Sequence, residues 1–347
     1  MIENHILKKS NRYLIKLLLV IFYLFIFEYS NSQSFYGKVL DKTNNTPIAF
    51  ASVYQEGTFN GTYTDENGLF KLTLKDHNYL PIHISAIGYY SKTVSEEFSE
   101  KSFIVYLSPK VYEMSEIFVK GDAKKNNRKK NVVTFKKEFL GNTWKARYCE
   151  IENIDGILFK YDASSNVLEA FAKEPIVINN NALGYKIIYY LDHFEYNTKT
   201  TNLQYSGNYY FTSYTINDIQ KQRKWLKRRK NAYLGSRMHL FRTLWESKLD
   251  SSLFEITDSL GTKLSNSDLV YSTKNNGAIN QEKYLINKGS IKIYYKNPWN
   301  SSTAILNNEY QLIFFDKRGY FNPKGVIWQG TLARQRIADL LPFEYNP

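Results

Sequence analysis

Between Gly37 and Tyr89 the chain breaks its apolar residues into short runs, separated by glycine, proline, asparagine and aspartate. Gly37-Lys38-Val39-Leu40-Asp41 leads to Thr46-Pro47-Ile48-Ala49-Phe50-Ala51-Ser52-Val53 and Gly57-Thr58. Gly61-Thr62-Tyr63-Thr64-Asp65, Asn67-Gly68-Leu69-Phe70 and Ser85-Ala86-Ile87-Gly88-Tyr89 follow. Runs this short cannot complete an amphipathic helix. They can bury a face only as strands that alternate inward and outward, joined by tight turns. Several such strands close a core as a small antiparallel sandwich. Strands are expected near residues 35–40, 51–54, 61–64, 69–74, 82–86, 92–94 and 103–107. Asp65-Glu66-Asn67-Gly68 reads as a tight hairpin turn, with too few regularly spaced oxygens to hold calcium.

These residues resemble the carboxypeptidase regulatory-like domain, a prealbumin-type β-sandwich, over residues 33–121. The resemblance implies a seven-strand sandwich in an exported protein. It implies no reaction, since the family is named for an appendage of carboxypeptidases. Glu113-Met114-Ser115-Glu116-Ile117-Phe118-Val119-Lys120-Gly121 is similar to the segment that follows this domain in TonB-dependent receptors, where a plug and a barrel come next. The remaining length cannot supply the many strands of about 10 residues such a barrel needs. A whole transporter is therefore not expected.

Lys8, Lys9 and Arg12 precede an apolar run from Leu14 to Phe27, closed by Ser30-Asn31-Ser32-Gln33. That order is expected to be a secretory signal peptide over residues 1–32, cut after Ser32, weighed against an uncleaved anchor. The apolar run is short of the ~20 residues of a spanning helix. Cys149 is the one cysteine, so no internal disulfide is available and a buried, inert thiol is expected. The formal charge of +13 suits an anionic neighbour without choosing one.

Residues 122–131 hold Lys124, Lys125, Arg128, Lys129 and Lys130 among asparagines, the composition of a solvated basic linker. Residues 132–347 then read as a larger antiparallel α+β domain, so the fold class is mainly β. A short helix is expected over 135–146, and strands near 147–152, 157–161, 167–172, 254–257, 283–286, 290–295 and 309–315. A long strand over 184–196 places Tyr185, Ile187, Tyr189 and Leu191 on one face. Ile188, Tyr190, Phe194 and Tyr196 fall on the other, so both faces should meet protein. It returns as a hairpin through 203–214. Thr215-Ile216-Asn217-Asp218 resembles a capping box with Asp218 reaching back. Leu226, Tyr233, Leu234, Met238, Phe241, Trp245 and Leu249 recur at helical spacing and should face the core. Gly235-Ser236 should split them into a helical hairpin, with Ser236 capping the second helix.

This half resembles a region of unassigned activity that often follows the regulatory-like domain in exported Bacteroidetes proteins. The similarity lies in Asn181-Ala182-Leu183-Gly184-Tyr185, in Ala232-Tyr233-Leu234-Gly235-Ser236-Arg237-Met238-His239-Leu240-Phe241-Arg242, and in Ala338-Asp339-Leu340-Leu341-Pro342-Phe343-Glu344-Tyr345.

No His-x-x-Glu or His-Glu-x-x-His pattern begins at His77, His83, His193 or His239, so the zinc-peptidase motif is missing. His193 and Glu195 share a strand face but lack a third ligand. No nucleophile elbow or phosphate-cradling loop is present, and nothing selects two carboxylates as a glycosidase pair. No catalytic residue, metal or cofactor is assigned. The sharpest charge feature is Lys221, Arg223, Lys224, Lys227, Arg228, Arg229 and Lys230, which repel one another at helical spacing. Lys221, Lys224, Lys227, Arg228, Arg237, His239 and Arg242 are the candidate anion- or partner-binding residues, weighed against a plain solvated face and a capping role.

The sequence thus points to a non-enzymatic, exported protein of the Bacteroidetes cell envelope, in the periplasm or on the outer membrane. The sandwich would serve as a docking or spacing module. The second domain would bind an envelope protein or an anionic glycan or lipid, with no nucleic acid and no transmembrane segment after cleavage. Two alternatives stay open: a glycan-directed envelope enzyme whose site is scattered in sequence, and a relative of the N-terminal extension of TonB-dependent receptors.

Overall fold

The structure is a computed structural model that describes residues 32–75, 80–94, 103–110, 125–214, 217–273 and 282–347. Residues 1–31 of the expected signal peptide, the receptor-like segment at 113–121 and His77 lie outside these residues. The chain is mainly β, with three hydrophobic cores in sequence order.

The first core belongs to a seven-strand sandwich. β1 (Ser32–Asp41) lies between β4 (Leu69–Lys75) and β7 (Phe103–Leu107), antiparallel to the first and parallel to the second. The facing sheet runs β3 (Gly61–Tyr63), β2 (Ser52–Gln55), β5 (Ile82–Ser85), β6 (Lys92–Val94). Alternation sets the core: Phe35 and Val39 from β1, Phe70, Leu72 and Leu74 from β4, and Val105 and Leu107 from β7 are buried together. All seven strands fall where the sequence places them. The 65–68 turn differs in its job. It carries the chain from one sheet to the other instead of closing a hairpin, with the Asp65 carboxylate accepting from the Asn67 and Leu69 N–H groups.

The second core lies between helix α1 (Lys125–Leu140) and a six-stranded sheet. α1 starts inside the stretch read as a linker, ten residues ahead of the expected helix, and ends at Gly141. Composition misled here because lysine and arginine are good helix formers. Arg128 also anchors the first turns by donating to the Ile154, Asp155 and Ile157 carbonyls. Phe135 and Phe139 stack at 4.9 Å and face the sheet.

The sheet is built on β12 (Tyr185–Asn197). β13 (Leu203–Ser213) pairs along one edge. The other edge takes β11 (Ile176–Asn180) at one end and β10 (Val167–Ala172) at the other. β8 (Cys149–Ile151) and β9 (Ile157–Asp162) flank these. A bulge between Leu191 and His193 shifts the register. It corrects the expected facing: Phe194 and Tyr196 join Tyr185, Ile187, Tyr189 and Leu191 in one core, because one extra residue reverses the alternation.

β13 leads to α2 (Ile219–Tyr233) and α3 (Arg237–Trp245), a helical hairpin split at Gly235-Ser236 as expected. Ser236 caps α3 by accepting from the His239 N–H. Asp218 is itself the cap of α2, accepting from the Lys221 N–H, and Thr215, which it was expected to reach back to, lies outside the described residues.

Leu240, Phe241 and Leu244 of α3 enter the third core. One sheet there runs β14 (Phe254–Thr257), β17 (Ser290–Tyr295), β18 (Asn297–Leu306), β20 (Val326–Gly330). The other runs β15 (Val270–Thr273), β16 (Glu282–Ile286), β19 (Leu312–Phe315). A short helix, α4 (Asn266–Leu269), precedes β15. Strands β11, β15, β18 and β20 were not expected from sequence. β18 opens on Asn297-Pro298-Trp299-Asn300-Ser301-Ser302, which has no apolar alternation to read. The tail then returns to the second core through Ile337 and Leu341. No helix among the described residues is long and apolar enough to cross a membrane.

Candidate functional site

The turn after β2 docks the sandwich on the second unit. The Gly57 N–H donates to the Tyr209 carbonyl, and the Phe211 N–H donates to that of Thr58, both at 2.8 Å. The turn thereby continues the sheet beyond the free edge of β13. The tail adds on the turn's far side, where the Phe343 N–H donates to the Gly57 carbonyl at 2.9 Å. The Phe59 N–H donates to the Glu344 carboxylate at 2.8 Å. Gly57 sits at φ +66°, and a Cβ there would lie 2.6 Å from the Phe343 ring. Only glycine combines that backbone with so close an approach.

Aromatic side chains seal the rest of the seam. Tyr54 stacks on Tyr190 at 5.6 Å and tilts against Tyr210 at 4.7 Å. The Tyr190 hydroxyl donates to Ser52 at 2.8 Å, and the Tyr63 and Tyr210 hydroxyls meet at 3.1 Å. The second face of β12 therefore meets protein, as its composition predicts, and that protein is the sandwich of the same chain.

Where the turn, the tail, β12 and α2 converge, a cleft of about 460 Å³ opens. Its walls include Phe59, Tyr185, Tyr214, Trp225, Arg229 and Tyr345. Trp225 is 4% exposed and donates its indole N–H to the Asn181 carbonyl at 3.0 Å. Gly184, at φ +71°, lets the indole in: a Cβ there would fall 2.2 Å from the Trp225 ring. One turn along α2, Arg229 lies with its guanidinium carbon 4.0 Å from the Tyr185 ring centre. It donates to the Leu183 carbonyl at 2.7 Å and that of Gly184 at 3.1 Å. Burial lowers its pKa, but an arginine still holds its proton. No carboxylate forms a salt bridge with it among the described residues. Burial pushes the Tyr185 hydroxyl up to about 12, so it stays a neutral donor. Tyr214 stacks on Trp225 at 6.2 Å with a 25° tilt. Glu344 is the single acidic residue of the lining among the described residues.

The seven residues singled out from sequence divide sharply. Lys221, Lys224 and Lys227 are exposed along α2. Arg228 turns inward from them, over the Trp144 and Tyr148 rings at 5.2 and 5.6 Å. Arg237 donates to the Gln335 carbonyl at 2.6 Å. Arg242 holds the Arg318, Phe343 and Tyr345 carbonyls, which clamps the tail in place. The His239 ring accepts from the Gly235 N–H at 3.0 Å, and burial lowers its pKa to about 4, so it carries no charge at neutral pH. Arg237, His239 and Arg242 thus spend these groups on structure. Leu226, expected in the core, is 58% exposed, and Trp225 takes the buried position instead. The sequence singled out neither Trp225 nor Arg229 as a site residue. Their i,i+4 spacing on one face of α2 was the available signal.

Burial raises the Cys149 thiol to about 12, which makes it unreactive. His193 and Glu195 approach to 3.9 Å in solvent, and no metal-binding cluster occurs among the described residues.

Residues 35–119, the span of the N-terminal sandwich, match the family described as CarboxypepD_reg-like domain. No curated protein matches the chain. Among solved structures, a 9R-lipoxygenase from Cyanothece PCC8801 is similar at 9% identity and TM-score 0.19, over 62% of this chain and 48% of that one. The chain thus spans about half the length of that protein. A DUF3823 family protein from Bacteroides ovatus ATCC 8483 is similar at 7% identity and TM-score 0.17, over 86% of this chain and 98% of that one. Another, from Parabacteroides merdae ATCC 43184, has 10% identity and TM-score 0.17 over the same shares, 86% and 98%. Similarity this slight carries no argument about function.

Proposed function

We propose that the protein is a non-enzymatic binding protein of the bacterial cell envelope, and that the cleft between turn, tail and α2 takes an acidic saccharide. The observation that carries this reading is Arg229: a half-buried cation, without a salt-bridge partner among the described residues, set among aromatic rings. Aromatic faces pack against the C–H faces of sugars, and the guanidinium N–H groups left over from the Leu183 and Gly184 carbonyls can pair with a carboxylate. A single lining carboxylate favours binding over hydrolysis, because glycoside hydrolysis ordinarily uses two. The export signature of the first 32 residues supports an envelope setting. The sandwich then acts within the chain, supplying Phe59 to one wall of the cleft.

Calorimetric titration with uronate-bearing and neutral oligosaccharides tests this. The acidic sugar should bind and the neutral one should bind at least tenfold more weakly, since a charge-assisted pair contributes about 1.5–3 kcal/mol. Tyr345→Ala should weaken the acidic sugar by roughly tenfold through lost stacking. Equal affinity for both sugars, or no binding to either, would overturn the proposal.

A further inference from the structure

α2 has an outer face that meets the cleft only at its border, through Leu226. Between Ile219 and Tyr233 the helix contains no acidic residue. Arg223, Lys224, Lys227 and Lys230 are exposed, and none of them forms a salt bridge among the described residues. A solvated helix face ordinarily intersperses acids with its cations, since like charges three and four apart repel. Here no salt bridge among the described residues relieves the repulsion.

The flanks of this stripe are apolar. Ile219 and Leu226, two turns apart, are 64% and 58% exposed. On the other flank Trp144 and Tyr148 are 42% and 53% exposed, packed edge to face at 6.1 Å. Arg228 bridges them to α2, and Lys145 lies 5.4 Å from the Trp144 ring centre. Saccharides and acidic peptides have no use for exposed isoleucine and leucine. A lipid interface uses all of these groups at once: aliphatic side chains enter the acyl boundary, tryptophan and tyrosine sit at headgroup level, and lysine and arginine reach the phosphates.

We propose that the outer face of α2, with Trp144 and Tyr148 beside it, docks the protein on an anionic lipid surface. This contact shares only Leu226 with the saccharide cleft, and its charged residues lie outside the cleft lining. It is made by side chains on an exposed helix face.

The test is co-sedimentation of the chain, purified after export, with phosphatidylcholine vesicles and with phosphatidylcholine–phosphatidylglycerol vesicles. Binding is expected to the mixed vesicles only, and to fall as salt rises. Lys224→Gln/Lys227→Gln/Lys230→Gln should weaken it by roughly 100-fold, given about 1 kcal/mol per cation near an anionic surface. Ile219→Ser/Leu226→Ser should weaken it by roughly tenfold while keeping the salt dependence. Both variants are at exposed positions, and an unchanged circular dichroism spectrum checks their fold. Absence of binding to mixed vesicles, equal binding to neutral ones, or full binding by the charge variant would overturn the proposal. Binding to a soluble polyanion such as polyglutamate, without binding to mixed vesicles, would overturn it too.

Discussion

Gly184 shows how one residue can hold a site open. Its missing side chain is the space that Trp225 fills, and its positive φ is the backbone turn that starts β12. Gly184→Ala would push a methyl into the indole and strain the turn. An overpacked contact costs about 1–3 kcal/mol and a methyl at positive φ roughly 1 more. We expect a loss of about 2–4 kcal/mol in urea unfolding. A shift of Trp225 fluorescence towards the solvent-exposed value should accompany it. Loss of stability without that shift would place the damage elsewhere. This residue was quoted from sequence only as part of a family-like phrase, because nothing local says which ring will sit against it. Phe59, Tyr214 and Tyr345 were silent for the same reason: they come together only through tertiary folding. The structural roles of Arg237 and Arg242 were equally hidden, since a cation that binds a backbone carbonyl looks like one that binds a ligand.

At the scale of elements, legibility followed the strength of the local pattern. The seven sandwich strands were readable because alternation and turn residues agreed. The α2–α3 break was readable because Gly235-Ser236 interrupts a clear helical period. α1 was misplaced because its first two turns are polar throughout, and its anchor is Arg128 on distant carbonyls. The bulge in β12 was invisible because both parities of that strand are rich in apolar residues. α2 yields a prediction of its own. Its cations at three- and four-residue spacing repel, and Lys224 and Lys227 form no salt bridge among the described residues. Replacing these two with glutamine should raise stability slightly, by about 0.2–0.5 kcal/mol for each like-charge pair relieved. Thermal unfolding at low salt would show it, and the gain should shrink in high salt. A clear loss of stability would mean that these lysines hold the fold after all.

For the whole molecule, three cores could have meant three independent bodies. The seam argues otherwise. The turn at Gly57 is held between the edge of β13 and the returning tail, while Tyr54 and Tyr63 of the sandwich meet Tyr190 and Tyr210. The sandwich is therefore a structural part of the cleft, with Phe59 in its wall. Gly57→Val should pry the turn from the tail and uncouple the units. A single calorimetric transition in the parent protein should become two in the variant. One unchanged transition would show that the seam is not held at this glycine. The most direct measurement of the central claim is a crystal structure with a uronate-bearing oligosaccharide. The account predicts a sugar ring against Tyr214 or Tyr345, with its carboxylate within hydrogen-bond distance of Arg229. An empty cleft beside a sugar bound elsewhere on the protein would contradict it.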